Sequence, residues 1–321
     1  MIISPIALSL AALVGAQSTE AIDIERKFRK GEKHTFQFVS KMTIEFRGVP
    51  LETFLPFGVT YSYAYTMETE RLKPDGAADV RFKRPNIKIR EGETVDSPPK
   101  MEVINRPQNL LLTFSRKNQL LTLKDESPKE KKKAGTGGGG GEPAFWSASF
   151  GNAQLDVTSW IAELRSLGAF VNFFDWGPVL PVHPVKVGDT WKETVGYVPA
   201  TLKSGADKGR NIMTRIDYTY VYKGNTTREG KKRAWIQGTL HHDSDAAPFV
   251  ADLLGIELKF APFKEIKLQM DATVDYYLDP ETFAVYEIEG TSKGNTSITI
   301  RGQDGPYYEE RFTSEAYLVR K

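Results

Sequence analysis

Apolar and polar residues alternate along most of the chain, and this pattern predicts β-strands. The apolar side of the first predicted strand consists of Phe36, Phe38, Met42, Ile44 and Phe46. Three further stretches show the same alternation, namely Val59–Met67, Ile212–Tyr222 and Ile266–Tyr276. Because each strand is apolar on a single face, we predict antiparallel meanders with that face packed on a core.

Turn-forming residues separate the predicted strands. The turns are predicted at Asp75-Gly76, from Gly224-Asn225 to Gly230, at Asp279–Thr282 and at Asp304-Gly305. Helical spacing of apolar residues predicts only two short helices, over residues 156–167 and 247–254. The expected fold is therefore mainly β, with antiparallel meanders forming two half-barrel or barrel-like modules and a few short helices.

The first 16 residues are mostly apolar and carry no charged side chain. They end in Val14-Gly15-Ala16, whose small residues suit a signal peptidase, so we predict a signal peptide cleaved after Ala16. An uncleaved apolar anchor or a buried first element is the alternative. No later stretch reaches 18 apolar residues, so we expect an exported, periplasmic or extracellular protein whose mature chain does not span the membrane.

A segment rich in lysine and glycine divides the mature chain. We predict an N-terminal β-module over 17–124, a disordered loop over 125–154, a helical connector over 155–177 and a C-terminal β-module over 178–321. An offset of 157 residues carries Gly31 onto Gly188 and one triplet of alternating tyrosines onto another. This repeat suggests duplicated modules, although alternating tyrosines are also a common strand pattern.

Composition narrows the range of functions. The chain has 43 basic and 41 acidic residues, a balance that argues against a nucleic-acid partner. With no cysteine, disulfides, thiolate metal sites and cysteine nucleophiles are excluded. The common hydrolase and phosphate-loop motifs are absent, so we expect no cofactor and do not favour an enzyme. Carboxylates such as Asp275 cannot be paired across a cleft from spacing alone, which leaves a carboxylate-dependent hydrolase as the least favoured alternative.

One cluster contains residue types that bind metal ions. His241, Asp243 and Asp245 would share one face of a strand, but their Cα atoms would then extend over roughly 13 Å. That span is too long for a single ion unless the strand bends. The simpler interpretation is a polar strand end, with Asp245 capping the helix that follows.

Aromatic side chains on the predicted strands are the candidate ligand-binding residues. They are Tyr61, Tyr63, Tyr65, Trp191, Tyr218, Tyr220 and Tyr222. Curved meanders often enclose apolar ligands, so the leading hypothesis is non-catalytic binding of an apolar or amphipathic ligand, such as a lipid, in the cell envelope. The alternative is an interaction or structural module that binds a protein or glycan. The same aromatic residues are also typical of a filled core.

The most distinctive motif is Pro-Val-x-Val-Gly-Asp-x-Trp, which runs from Pro184 to Trp191. β-Hairpins follow it, with a Tyr-x-Leu-Asp-Pro-Glu-Thr turn that ends at Thr282. Over residues 178–321 this arrangement resembles a family of exported bacterial envelope proteins of unknown function. The resemblance implies a β-rich exported protein and carries no activity with it. Physically, Gly188-Asp189 predicts a turn, and Trp191 is expected to face the core at the start of the next strand.

Overall fold

The computed structural model describes most of the chain after residue 19. The described residues are 20–48, 51–92, 100–104, 107–128, 147–150, 153–156, 165–171, 176–197, 214–253 and 257–321. The strands are β1 (Lys33–Gly48), β2 (Leu51–Leu72), β3 (Ala78–Arg84), β4 (Ile87–Glu91), β5 (Lys100–Ile104), β6 (Gln108–Phe114), β7 (Leu120–Asp125), β8 (Ser147–Phe150), β9 (Ala153–Asp156), β10 (Thr190–Tyr197), β11 (Thr214–Arg228), β12 (Lys231–Asp245), β13 (Phe263–Leu278), β14 (Val285–Ile300) and β15 (Tyr308–Arg320). Helix α1 is Ala247–Leu253, and a single 3₁₀ turn covers Leu258–Phe260.

Thirteen of these strands form one antiparallel sheet, which confirms the predicted mainly β fold. The main path runs β10-β11-β12-β13-β14-β15-β1-β2-β3-β6-β7, and β4 and β5 branch from β2. The sheet is open, with β10 and β7 at its edges. Because β15 pairs with β1 over its full length, the two predicted modules share a single sheet instead of forming two. Within the part of the chain that is described, no helical segment has the length and hydropathy needed to cross a lipid bilayer.

Prolines explain why β4 and β5 leave the main path. Pro85 separates β3 from β4, and Pro107 directly precedes β6. Proline has no N–H to donate, so it interrupts a ladder of backbone hydrogen bonds. Beyond these interruptions β4 continues to pair with β2, and β5 continues to pair with β4.

The inner face of the sheet carries the apolar residues that the alternating pattern predicted. On β1, Phe38 and Ile44 are fully buried, and on β13 Val274 is equally buried. Polar residues such as Lys41 and Thr43 lie between them on the outer face. The predicted strand faces are therefore confirmed where the structure describes them.

A helical turn at residues 165–168 fills part of the inner face. Its Gly168 carbonyl oxygen accepts hydrogen bonds from the Ser292 and Ser314 hydroxyls at 2.6 and 2.8 Å. Gly168 also lies so close to Phe312 and Met42 that an added Cβ would be 2.7 Å from the Phe312 ring and 2.9 Å from the Met42 methyl group. The turn is thus packed tightly on β1, β14 and β15.

The same turn contributes a buried ion pair. Arg165 donates from Nε to Glu310 at 2.8 Å and from Nη2 to the Tyr308 hydroxyl at 3.1 Å. Tyr308 in turn donates to the same Glu310 oxygen at 2.5 Å. Burial opposes the charge on Arg165, but the neighbouring carboxylate outweighs burial and raises the pKa of the guanidinium. Charge and hydrogen bonding together fix this turn against β15.

Both halves of the sheet begin with the same turn. Gly31 and Gly188 have φ angles of 76° and 93°, a backbone region that residues other than glycine rarely adopt. Each glycine donates its N–H to the second strand of its half, Gly31 to Thr69 and Gly188 to Tyr222, both at 2.8 Å. The repeat seen in the sequence therefore corresponds to a repeated backbone hydrogen-bond pattern.

Several local predictions are confirmed and others need correction. Helix α1 lies where 247–254 was predicted, and turns follow β2, β13 and β14 as expected. The turn predicted from Gly224 to Gly230 is shorter than expected and covers only Glu229-Gly230, because β11 continues to Arg228 after a bulge that follows Tyr222. Residues 147–150 and 153–156, predicted as loop and connector, form the β8–β9 hairpin. The predicted signal peptide lies outside the described residues.

Candidate functional site

The N-terminal tyrosines predicted to bind a ligand pack in the core. Tyr61, Tyr63 and Tyr65 lie on the inner face of β2 and are 2 to 4% exposed. Tyr63 stacks on Phe38 with ring centroids 4.5 Å apart, and Tyr65 stacks on Phe36 at 5.0 Å. Burial raises the pKa of Tyr61 well above its ordinary value.

The C-terminal aromatic residues form a second cluster. Trp191 stacks on Tyr220 at 5.4 Å, and its indole nitrogen donates to the Val179 carbonyl at 2.9 Å. Tyr218 lies parallel to Tyr220 at 5.1 Å, and burial raises the pKa of both phenols. Tyr222 is also buried, at 3% exposure.

Five strands separate β2 from β11 in the sheet, so the seven predicted residues form two core clusters and not one site.

The three predicted metal ligands each have a different partner. His241 is exposed and lies 2.7 Å from Asp271, while Asp243 accepts a hydrogen bond from Gln269 at 2.8 Å. Asp245 accepts the N–H groups at the start of α1 and at Ile266, both at 2.9 Å. Among the described residues, no three histidine or carboxylate side chains are grouped as metal ligands would be. The capping interpretation of Asp245 is confirmed.

The outer face of the sheet holds a groove of about 440 Å³, formed by β1, β13, β14 and β15. Polar groups line it at Lys41, Asp275, Glu289 and Glu315, and Tyr317 contributes an aromatic ring. Val39 adds apolar surface, whereas Ala316, which also borders the groove, is a core residue at 6% exposure. A volume of this size is within the range of small-molecule sites.

The groove is negatively charged. Three carboxylates and one lysine line it. One of these carboxylates, Glu289, forms an ion pair with Arg228, which also pairs with Glu287 behind the groove lining. Glu315 is exposed and has no ion pair within the described residues. Tyr317 is 39% exposed and offers its ring to the groove. Carboxylates beside an accessible aromatic ring favour a cationic group over an anionic one.

A layer of interlocked side chains supports the groove. Asp275 accepts hydrogen bonds through one oxygen from Trp235 at 2.8 Å and from Gln237 at 2.9 Å. Trp235 stacks on Tyr277 at 6.2 Å, and Arg228 lies 4.3 Å above the Tyr277 ring. These contacts hold the groove carboxylates in place before any ligand binds.

Two tyrosine hydroxyls complete this layer. Tyr317 donates to Glu287 at 2.7 Å, and Tyr277 donates to Glu289 at 3.3 Å. Burial raises the pKa of Tyr277 to about 12, and the nearby Glu289 charge adds to the increase. Both phenols therefore stay protonated near neutral pH and act as hydrogen-bond donors to the carboxylates.

Comparison with known proteins assigns no family. No model of a known protein family matches the chain, and no curated protein matches it. A solved structure titled "Lipid-protein interactions in lipovitellin" is similar at 10% sequence identity and a TM-score of 0.40. The match covers 92% of this chain and 25% of that chain, so this protein spans about a quarter of its length.

Sequence reasoning missed the groove for a specific reason. Asp275 was named only as an example of the carboxylates that spacing alone cannot pair, and Lys41, Glu289, Glu315 and Tyr317 were not singled out. These residues come from strands that are distant along the chain and meet through the pairing of β1 with β15. The available signal was polar residues that alternate with core residues on the outer strand faces, and it is shared by most exposed strand positions.

Proposed function

We propose that the protein binds, without catalysis, an amphipathic ligand that carries a cationic amine. The ligand occupies the outer-face groove, where carboxylates pair with the amine, and Val39 and the Tyr317 ring contact its apolar part. The observation that carries the proposal is the 440 Å³ groove with three carboxylates beside an exposed aromatic ring. This retains the predicted amphipathic ligand but places it away from the buried tyrosines.

A binding titration with dodecylamine as the probe tests the proposal. The neutral detergent dodecyl maltoside, with the same alkyl chain, measures how much affinity the amine contributes. Glu315→Gln and Asp275→Asn should each weaken dodecylamine binding about tenfold, because a charge-assisted contact contributes roughly 1.5–3 kcal/mol. Asp304→Asn removes an exposed carboxylate in the β14–β15 turn and serves as the matched control.

The outcomes are distinct. If both groove variants lose affinity and Asp304→Asn does not, the groove holds the amine. Equal affinity of all three variants for dodecylamine, or equal wild-type affinity for dodecylamine and dodecyl maltoside, would refute the proposal.

We also propose that the mature protein is exported and belongs to the envelope family it resembles. The apolar run that ends at Ala16 supports export. Mass spectrometry of the protein recovered from a bacterial periplasm should give an N-terminus at Gln17. Recovery of the uncleaved chain from the cytoplasm would contradict export.

A further inference from the structure

Two arginines share one tyrosine ring at an end of the sheet, where β12 and β14 begin and β15 ends. The Arg233 Cζ atom lies 3.6 Å from the centre of the Tyr286 ring, and the Arg320 Cζ atom lies 5.5 Å from it. We name Arg233, Arg320 and Tyr286 the arginine pair site. The two guanidinium carbons are therefore at most about 9 Å apart, which follows from these two contacts.

Arg233 is buried without an ion-pair partner among the described residues. It is 5% exposed, and no carboxylate among the described residues lies within ion-pair distance of it. Among the described residues its side chain donates to the neutral Lys232 carbonyl at 3.4 Å, and its Nε is buried without an acceptor. A buried, unpaired charge is strongly unfavourable, and contact with an aromatic ring offsets only part of that cost.

Arg320 adds a second positive charge. Its Nη1 lies 3.4 Å from His34, and within the described part of the chain it makes no ion pair. Burial lowers the pKa of Arg26 nearby, and the charge of Arg320 adds to this lowering while Glu32 opposes it. Exposed Lys232 and Lys321 are neighbours in sequence of the two arginines.

The nearby carboxylates already have other partners. Glu229 accepts the Tyr286 hydroxyl at 2.5 Å. Glu32 pairs with Arg26 at 3.2 Å and with His34 at 3.0 Å. Asp279 accepts backbone N–H groups of its own turn at 2.9 and 3.0 Å. Burial opposes ionisation of Asp279, but the hydrogen bonds of its turn and the charge of Arg320 lower its pKa, so Asp279 offsets part of the Arg320 charge. None of these carboxylates forms an ion pair with Arg233 or Arg320 among the described residues.

From this arrangement we infer that the arginine pair site binds a phosphate group. Two planar guanidinium groups match the oxygens of phosphate, and the group would supply the negative charge that Arg233 lacks. The site is separate from the carboxylate groove and opposite to it in charge, so the inference does not rest on the proposed function. The phosphate could belong to a lipid headgroup or to a soluble ion.

Two probes distinguish these sources. Calorimetric titration with inorganic phosphate, at constant ionic strength set with chloride, measures binding of the soluble ion. Co-sedimentation with phosphatidylglycerol vesicles, against phosphatidylcholine vesicles, measures binding of a lipid phosphate. Phosphate binding alone assigns a soluble ligand, and selective vesicle binding assigns a lipid headgroup.

Variants test whether these residues form the site. Arg233→Gln and Arg320→Gln should each reduce binding of whichever probe the wild-type protein binds at least tenfold. Arg233→Lys should retain only part of the wild-type affinity, because lysine lacks the planar fork of the guanidinium. Arg215→Gln is the control, because Arg215 is exposed and lies near the start of β11. Arg233 pairs with Thr226 near the other end of β11, roughly 35 Å away along the strand.

Stability separates binding from a purely structural role. Removing an unpaired buried charge should leave the melting temperature of phosphate-free Arg233→Gln unchanged or higher, whereas phosphate should raise the melting temperature of wild type only. Absence of binding to both probes, or wild-type affinity in the Arg233→Gln/Arg320→Gln double variant, would overturn the inference.

Discussion

Replacing Gly168 with valine should destabilise the protein, because the helical turn at 165–168 is packed directly on the sheet. A Cβ at this position would already be 2.7 Å from one Phe312 ring atom and 2.9 Å from the Met42 methyl group. Both neighbours are buried, at 3% and 2% exposure. Valine adds two methyl groups beyond that Cβ, so either the neighbours or the turn must move.

The expected loss is about 2–3 kcal/mol in the free energy of unfolding. Overpacking a core costs roughly 1–3 kcal/mol. Moving the turn would also stretch the hydrogen bonds from Ser292 and Ser314 to Gly168, each contributing about 1 kcal/mol. Valine has a slightly better helix propensity than glycine, which offsets a few tenths of a kcal/mol.

Urea unfolding followed by circular dichroism measures this loss. Gly58→Val is the matched control, because an added Cβ at Gly58 would meet nothing within 4 Å and valine suits a strand. In the double variant Gly168→Val/Phe312→Leu, the space released by Phe312 should make the total loss smaller than the sum of the single losses. If Gly168→Val were as stable as wild type, the inner face would be open at this turn and the packing argument would fail.

Three further substitutions test individual contacts. Asp245→Ala should lower the free energy of unfolding by about 1–2 kcal/mol, because two backbone N–H groups lose their acceptor. The control Asp243→Ala should change it by less than about 0.5 kcal/mol. Equal losses for the two variants in urea unfolding would contradict capping. Burial opposes ionisation of Glu32, but its partners His34 and Arg26 outweigh burial and lower its pKa from 4.5 to about 2. The stability that this carboxylate contributes is therefore present above pH 4.5 and is lost as the pH falls towards 2. In Glu32→Gln the unfolding midpoint should therefore depend less on pH over that range than it does in wild type. If plots of midpoint against pH were parallel for the two proteins, this linkage would be disproved. Glu310→Gln should cost about 3 kcal/mol in the free energy of unfolding, because it leaves the buried Arg165 guanidinium without its carboxylate. Glu309→Gln breaks the more exposed pair with Arg47 and should cost less than about 1 kcal/mol. Similar melting temperatures for the two variants would refute the buried ion pair.

Periodicity in the sequence was sufficient to predict the long strands β1, β2, β11 and β13 and their buried faces. On β13 every second residue from Ile266 to Leu278 is apolar, and on β1 the same alternation from Phe36 to Phe46 is interrupted only by Ser40; a strand places every second side chain on the same face. Asp245 was likewise predicted as a helix cap, because capping depends only on residues adjacent in sequence. These features are local, so a single sequence contains enough information to predict them.

Features that depend on pairing between distant strands could not be predicted. Lys41 and Glu315 lie opposite each other only because β1 pairs with β15 in one particular register. Arg233 and Arg320 meet at Tyr286 for a similar reason, since three different strands supply them. The alternation that marked the tyrosines as inward-facing could not distinguish a ligand cavity from a core, because both place aromatic rings on the buried face.

Photo-crosslinking with a diazirine-bearing dodecylamine tests the central claim most directly, because it identifies the residues that contact the ligand. Peptide mass spectrometry of the irradiated protein should find the label on the outer-face residues of the groove, at Val39 and Tyr317, with labelling reduced in Glu315→Gln. Label on the inner-face residues Tyr63 or Tyr220, undiminished in that variant, would contradict the outer groove and return the ligand to the interior of the sheet.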